Sequence, residues 1–306
     1  MRSAIKNILA PTDFSDQSNN ALRIAINLCK QHKAVLHLLH VIESRYITSG
    51  ISPDSSAKSR LIELNQESRT QLYQAYQSII EIHNIAVQIH MPTGIPYDEI
   101  CRTTEELPVD LIVMGAHGVS GTREFFIGTT SYNVIKNSLV PVITIPAGYK
   151  KAEFKNILFP ARPGQFLKSK YELIDSLFGF EAIAIHIAAL RTDAKETIPT
   201  FPKDELREVI ASIINKGVTC TKEKYTCSNY ASKVLELSEQ MSVDLIAINA
   251  SLDYKHAQFF IGPFTQQVVN HSRLPVLSCK DGVNLANQIK KENQADSLAK
   301  VIVNGL

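Results

Sequence analysis

Short apolar runs alternate along the chain with longer segments whose apolar residues recur every three or four positions. Ile5–Ala10 is an apolar run stopped by Pro11, which predicts a buried strand. Ser15 or Asp16 can cap a first helix, in which Ala21, Leu22, Ala25, Ile26 and Leu28 fall at helical spacing up to His32. Val35–Ile42 predicts a second strand. Residues 58–84 predict a long helix with Leu61, Leu64, Leu72, Tyr76 and Ile79 on one stripe. Ile85–Met91 predicts a strand, and Pro96 opens a helix that closes at Leu107. Val109–Met114, Thr129–Asn137 and Val140–Ile145 complete the series as strand, helix and strand. The strands are apolar on consecutive residues, as strands covered on both faces must be. Strict alternation of strand and helix then gives a doubly wound, Rossmann-like α/β domain with a parallel, five-stranded sheet. Ligands of such sheets bind at the carboxyl ends of the strands. The segments to inspect are therefore Pro11–Ser15, Val41–Ser44, Gly115–Thr130 and Pro146.

The pattern occurs twice. KNILAP at 6–11 returns as KNILFP at 155–160, and LHV at 39–41 has a counterpart in IHI at 185–187. VDLI at 109–112, FFIG at 125–128 and PV at 141–142 return at 243–246, 259–262 and 275–276. The offsets run 149, 146, then 134 three times, so the second copy is shorter by 15 residues. Three of these are placed before the second strand and twelve after it, where the Ser-, Gly- and Pro-containing segment 43–58 reads as a loop. A repeat of this length means two homologous domains. They are expected at 1–148 and 152–280, with a linker near 147–154 and a tail at 281–306. The strands Val140–Ile145 and Leu274–Cys279 would otherwise be exposed edges, and pairing them makes an internal pseudo-dimer. Dimerisation of the whole chain is a further expectation.

Composition narrows the class. Lys plus Arg number 32 and Asp plus Glu 30, so net charge is +2 and no overall nucleic-acid footprint exists. No run of about 18 apolar residues suggests a membrane partner. The N-terminal stretch does not read as a signal peptide, and five scattered cysteines without a C-x-x-C fit reduced thiols in the cytoplasm. Cys220 and Cys227 with His186 or His271 match no known metal-ligand spacing.

The chemistry sits after the fourth strand. Gly115, Gly118, Gly121 and Gly128 precede Thr129, Thr130 and Ser131, where a helix begins. A helix N-terminus offers N–H groups and a positive dipole end, glycines let backbone approach a phosphate, and hydroxyls donate to its oxygens. The alternative is an ordinary glycine-containing loop with capping threonines. Neither G-x-x-x-x-G-K-[ST] nor G-x-G-x-x-G is present. His117 lies in this loop without an evident nucleophile or carboxylate partner, and Arg123 and Lys136 read as surface charges.

The spacing Gly115-x2-Gly118-x9-Gly128-Thr129 resembles the signature of the ATP-binding class of the universal stress protein family, with tandem domains. NILAPTDFS at 7–15 and VPVITIP at 140–146 resemble that family's ends. The resemblance implies an adenine nucleotide α-hydrolase-like fold, ATP as ligand with or without Mg²⁺, and a role in stress response. It puts Pro11, Thr12 and Asp13 at the adenosine, Val41 at the adenine edge, and Met114 and Gly115 at the pocket wall. Gly118, Gly128, Thr129, Thr130 and Ser131 fall at the phosphates. The alternative for Asp13 is a purely structural one, capping of the first helix.

The second copy departs from this pattern. Gly115, Gly118 and Thr129 become Asn249, Leu252 and Pro263, and Asp13 becomes Arg162. Pro263 removes an N–H at the helix start, so no nucleotide is expected there. Three functions are compatible with these residues. One is a regulatory ATP-binding stress protein. Another is an interaction scaffold with both sites silent. The third is an enzyme, either a slow ATP hydrolase or an adenylating ligase. PTDFSDQS after the first strand carries no glycine, which weighs against the ligase.

Overall fold

The computed structural model describes residues 5–43, 55–116, 128–178, 184–192, 201–250, 252–253, 260–261 and 263–280. In the first half the order is β1 (Asn7–Pro11), α1 (Asp16–His32), β2 (Val35–Leu39), β3 (Ile42–Glu43), α2 (Ser55–His83), β4 (Val87–His90), β5 (Thr93–Gly94), α3 (Pro96–Glu106), β6 (Leu111–Gly115), α4 (Thr129–Asn137) and β7 (Val142–Ile145). The second half continues with β8 (Asn156–Ala161), α5 (Leu167–Phe178), β9 (Ala184–Arg191), α6 (Lys203–Asn215), β10 (Thr219–Thr226), α7 (Tyr230–Gln240), β11 (Leu245–Asn249), β12 (Leu252–Asp253), β13 (Phe260–Ile261), α8 (Pro263–His271) and β14 (Val276–Cys279).

One ten-stranded sheet runs β10-β9-β8-β11-β14-β7-β6-β1-β2-β4. Every neighbour pair is parallel except β14 with β7, which is antiparallel with Leu277 opposite Ile143. Each half thus contributes five parallel strands in the same order outward from the centre, and the two closing strands join the halves as a pseudo-dimer. The expected pairing of the two final strands is present. Both strands are fully buried. Burying their backbone groups without partners would cost about 1–3 kcal/mol each, so each supplies the other's ladder.

Two apolar layers sandwich the sheet, and each crosses from one half to the other. The first joins Ala21, Leu28 and Leu72 to Leu173, Val209 and Ile213. The second joins Ile100, Val134 and Ile135 to Val234, Leu237 and Val268. Helices α1, α2, α5 and α6 therefore cover one face, and α3, α4, α7 and α8 the other.

The repeat is reproduced in detail. α3, β6, α4 and β7 recur as α7, β11, α8 and β14, each displaced by 134 residues. The Asp of each VDLI string clamps the start of its half's first strand. Asp110 Oδ2 accepts from the backbone N–H groups of Lys6 (2.7 Å) and Asn7 (2.9 Å). Asp244 Oδ2 accepts from those of Lys155 (3.1 Å) and Asn156 (3.0 Å).

Two expectations change. The β1–β2 and β8–β9 registers match Leu9 to His37 and Leu158 to His186, so the offset at the second strand is 149, not 146. The whole 15-residue contraction lies after that strand. The loop expected across 43–58 ends earlier, because α2 begins at Ser55; residues 44–54 lie outside the described residues, as does the tail at 281–306. The linker is tied to both halves. Arg23 of α1 donates to the carbonyls of Tyr149 and Lys151, and Asn27 to that of Ala152. On the other side Tyr149 Oη donates to the Asp244 carbonyl and Lys151 Nζ to its carboxylate.

Candidate functional site at the strand ends

β6, β1 and β2 are adjacent and parallel, so their carboxyl ends meet at one rim. Pro11 closes β1, and Thr12 extends the ladder by donating its N–H to the Leu39 carbonyl (2.8 Å). The chain then turns tightly. Phe14 takes φ 61°, a left-handed conformation that is strained for a bulky residue. Its N–H donates to Thr12 Oγ1 (3.0 Å), and its ring packs against His40 at 4.5 Å between centroids. Asp13 Oδ1 accepts from the backbone N–H and the hydroxyl of Ser15. Ser15 is the N-cap of α1, its Oγ accepting from the Ser18 N–H. Capping thus falls to Ser15, and Asp13 braces the cap while its residue remains exposed at the rim. Backbone strain next to a strand end is a marker of function that the sequence pattern does not reveal.

Val41 lies between β2 and β3. His40 and Ile42 send their N–H groups to the carbonyls of His90 and Pro92 on the β4 side. Backbone groups alternate in direction along a strand, so those of Val41 face the β1 side, toward Pro11–Asp13. His40 Nδ1 lies 2.9 Å from the Thr12 carbonyl, which only accepts, so this nitrogen carries the proton. His40 therefore ties the two strand ends together. Sequence reasoning missed both Phe14 and His40.

Met114 and Gly115 end β6 and are buried. The Ala116 N–H donates to the Ile145 carbonyl, and the Gly128 N–H to that of Ala116, so the end of β6 and the start of α4 meet. Gly128 is the N-cap of α4 and contributes no capping side chain. The opening N–H groups of a helix have no intrahelical acceptor. Those of Thr129, Thr130 and Ser131 therefore face the rim with the positive end of the helix dipole. Thr129 is exposed and Thr130 half-buried. Ser131 is buried, and its hydroxyl, expected to point at phosphate, donates to the Gly115 carbonyl instead (2.8 Å). It fixes the helix start against the strand end. Lys136 sits in the last turn of α4, at the opposite end of the helix dipole. Gly118, His117 and Arg123 lie outside the described residues. The remaining predicted positions are brought to this single rim.

In the second half the same rim is built differently. The Arg162 guanidinium carbon lies 3.5 Å from the centre of the Phe264 ring and 5.6 Å from that of Tyr230. Arg162 corresponds to Asp13, and Phe264 to Thr130. A cation on an aromatic face occupies positions that in the first half hold a carboxylate and a hydroxyl. Thr265 repeats the brace of Ser131, its hydroxyl directed at the Asn249 carbonyl (3.5 Å).

This fold and rim define a class: a tandem, doubly wound α/β protein whose first half gathers polar residues and a helix N-terminus at its strand ends. The sequence model of the universal stress protein family matches residues 4–146. Universal stress protein MJ0531 of Methanocaldococcus jannaschii is 30% identical over 141 residues, which are 46% of this chain and 81% of that protein. Universal stress protein MJ0577 of the same organism is 30% identical over 158 residues, covering 46% of this chain and 94% of that protein. A solved universal stress protein from Archaeoglobus fulgidus shares the fold across both halves, with a TM-score of 0.69 at 20% identity over 92% of this chain and 100% of that one. The chain belongs to the universal stress protein family. Among the described residues no helix is long and apolar enough to cross a membrane.

Proposed function

We propose that the chain is a cytoplasmic stress-response regulator that binds one adenine nucleotide, ATP with or without Mg²⁺, in a first domain spanning residues 1–148. The uncapped start of α4, held at the β6 end by Ser131 and Gly128, carries this reading. It supplies directed N–H donors for phosphate, and the resemblance of the Gly115–Thr129 spacing supports a nucleotide as their acceptor. Asp13 at the facing strand end would repel phosphate, so adenosine lies toward β1 and β2 and phosphate toward α4. The backbone of Val41 supplies the adenine edge, and Gly118 a close approach to phosphate. The second domain, 152–280, takes no nucleotide. Arg162 and Phe264 occupy its rim, and Pro263 removes a donor. Nucleotide occupancy then regulates conformation or association, including a homodimer of whole chains.

Calorimetry of the full chain with ATP, AMP and Mg²⁺ tests this. One site per chain is expected, and it should disappear when Gly118→Leu and Thr129→Pro copy the second half. No binding, or binding undisturbed by that double substitution, overturns the proposal. Two sites per chain would overturn the reading of the second half. Calorimetry also separates a nucleotide-controlled regulator from a silent scaffold.

A further inference from the structure

A pair of imidazoles joins the middle of β2 to the last residue of β4. His37 of β2 is buried at 2% exposure, and half-buried His90 of β4 stands diagonally across from it. His37 Nδ1 and His90 Nε2 are 3.0 Å apart. The other nitrogen of His37, Nε2, lies 3.0 Å from Asn7 Oδ1. A carbonyl oxygen only accepts, so Nε2 carries the proton and the lone pair of Nδ1 points at His90. This is the arrangement of a metal-binding imidazole, whose outer N–H is fixed by an oxygen acceptor. Burial, with the neighbouring imidazole adding to it, pushes His37 down to about 4, and burial also lowers His90. Gln88, exposed beside His37 in the β2–β4 register, leaves this part of the face open to water.

The second half lacks the pair. His186 matches His37, but its Nδ1 meets Thr221 Oγ1 at 2.9 Å, and register places Glu223 where the first half has His90. The paired imidazoles thus belong to the first half alone and are not a requirement of the fold.

We propose that His37 Nδ1 and His90 Nε2 form a two-imidazole site for a divalent transition ion of the Cu²⁺ or Zn²⁺ type, completed by water. Two nitrogens on one tetrahedral ion at about 2.05 Å stand about 3.3 Å apart, a few tenths of an ångström beyond their present separation. The rings now meet edge to edge, with centroids 5.2 Å apart and planes 23° from parallel. Half-buried His90 is the ring that turns to bring both lone pairs onto the ion. Its proton moves from Nε2 to Nδ1, so the rings release no net proton on binding. Imidazole nitrogens suit Cu²⁺ and Zn²⁺, and affinity is greatest for Cu²⁺.

The test uses the full chain stripped with a chelator and free of nucleotide. Calorimetry with Zn²⁺ and Cu²⁺ should show one site per chain, with Cu²⁺ the tighter. The Cu²⁺ electron paramagnetic resonance spectrum should carry hyperfine structure from two imidazole nitrogens. His90→Gln should remove that two-nitrogen signature and weaken binding more than tenfold while leaving the fold intact. Asn7→Ala should weaken it 10- to 100-fold, as loss of an outer hydrogen-bond partner does. Absence of a stoichiometric site, or a spectrum unchanged by His90→Gln, overturns the proposal. ATP binding at the strand-end rim, measured separately, is expected unchanged in His90→Gln, so the two proposals fail independently.

Discussion

Asp244→Ala should loosen the second half and its linker severely. The carboxylate is buried and gathers four donors: the Lys155 and Asn156 backbone N–H groups at 3.1 and 3.0 Å, the Asn156 side-chain amide at 3.5 Å and the Lys151 ammonium at 2.5 Å. Removing it leaves two part-buried backbone donors at the start of β8 without this acceptor, each costing up to about 1–3 kcal/mol. The Lys151 side chain is 65% exposed, regains water, and adds little. The expected loss is therefore about 2–5 kcal/mol, a large share of the about 5–15 kcal/mol that holds a typical domain folded. Urea denaturation followed by circular dichroism measures it, with Asp110→Ala as the matched perturbation in the first half. The pH dependence has a defined sign. Burial raises the Asp244 pKa, but the hydrogen bonds from Lys151, Lys155 and Asn156 outweigh it and hold the group below its ordinary value of 3.8. A depressed folded pKa contributes stability above the unfolded value that is lost as pH falls through the folded one. Wild type should thus lose an increment of stability below about pH 4 that the Ala variant has already lost. A change under 1 kcal/mol, or an unaltered acid limb, would refute the clamp as an energetic element.

Two smaller substitutions test the local geometry. Ser15→Ala deletes the α1 cap and the group that Asp13 braces, and should cost about 1 kcal/mol in chemical denaturation and weaken ATP binding at the adjoining rim. Lys33, exposed at the α1 C-cap with φ 54°, should gain about 0.5–1 kcal/mol when replaced by Gly, seen as a raised Tm without change in ATP affinity.

Much of the fold was legible because its determinants are local. Asn7–Pro11, Leu111–Gly115 and Val142–Ile145 are apolar on consecutive residues, and such runs have few alternatives to a buried strand. Boundaries were less so. The strand expected over Ile85–Met91 is Val87–His90, at the sheet edge, where among the described residues one flank has no strand to extend pairing. The rim was legible from topology, since ligand crevices lie at strand ends. Its internal wiring was not. A Ser at a helix start reads as a ligand donor until the Gly115 carbonyl is found 2.8 Å away.

The sequence alone determined that two copies of one doubly wound domain lie in tandem, and that their rims differ chemically. Repeat strings, apolar periods and substitutions such as Asp13 to Arg162 are properties of residue order. Only the tertiary structure decided how the copies join, through antiparallel β7 and β14, and how the linker is pinned to both. It also decided that Phe14 is held left-handed and that His37 and His90 converge across 53 residues of chain. The reason is range. Periodicity reports the face a residue buries, whereas partners distant in sequence are chosen by packing, register and unsatisfied backbone groups that exist only once the sheet is assembled.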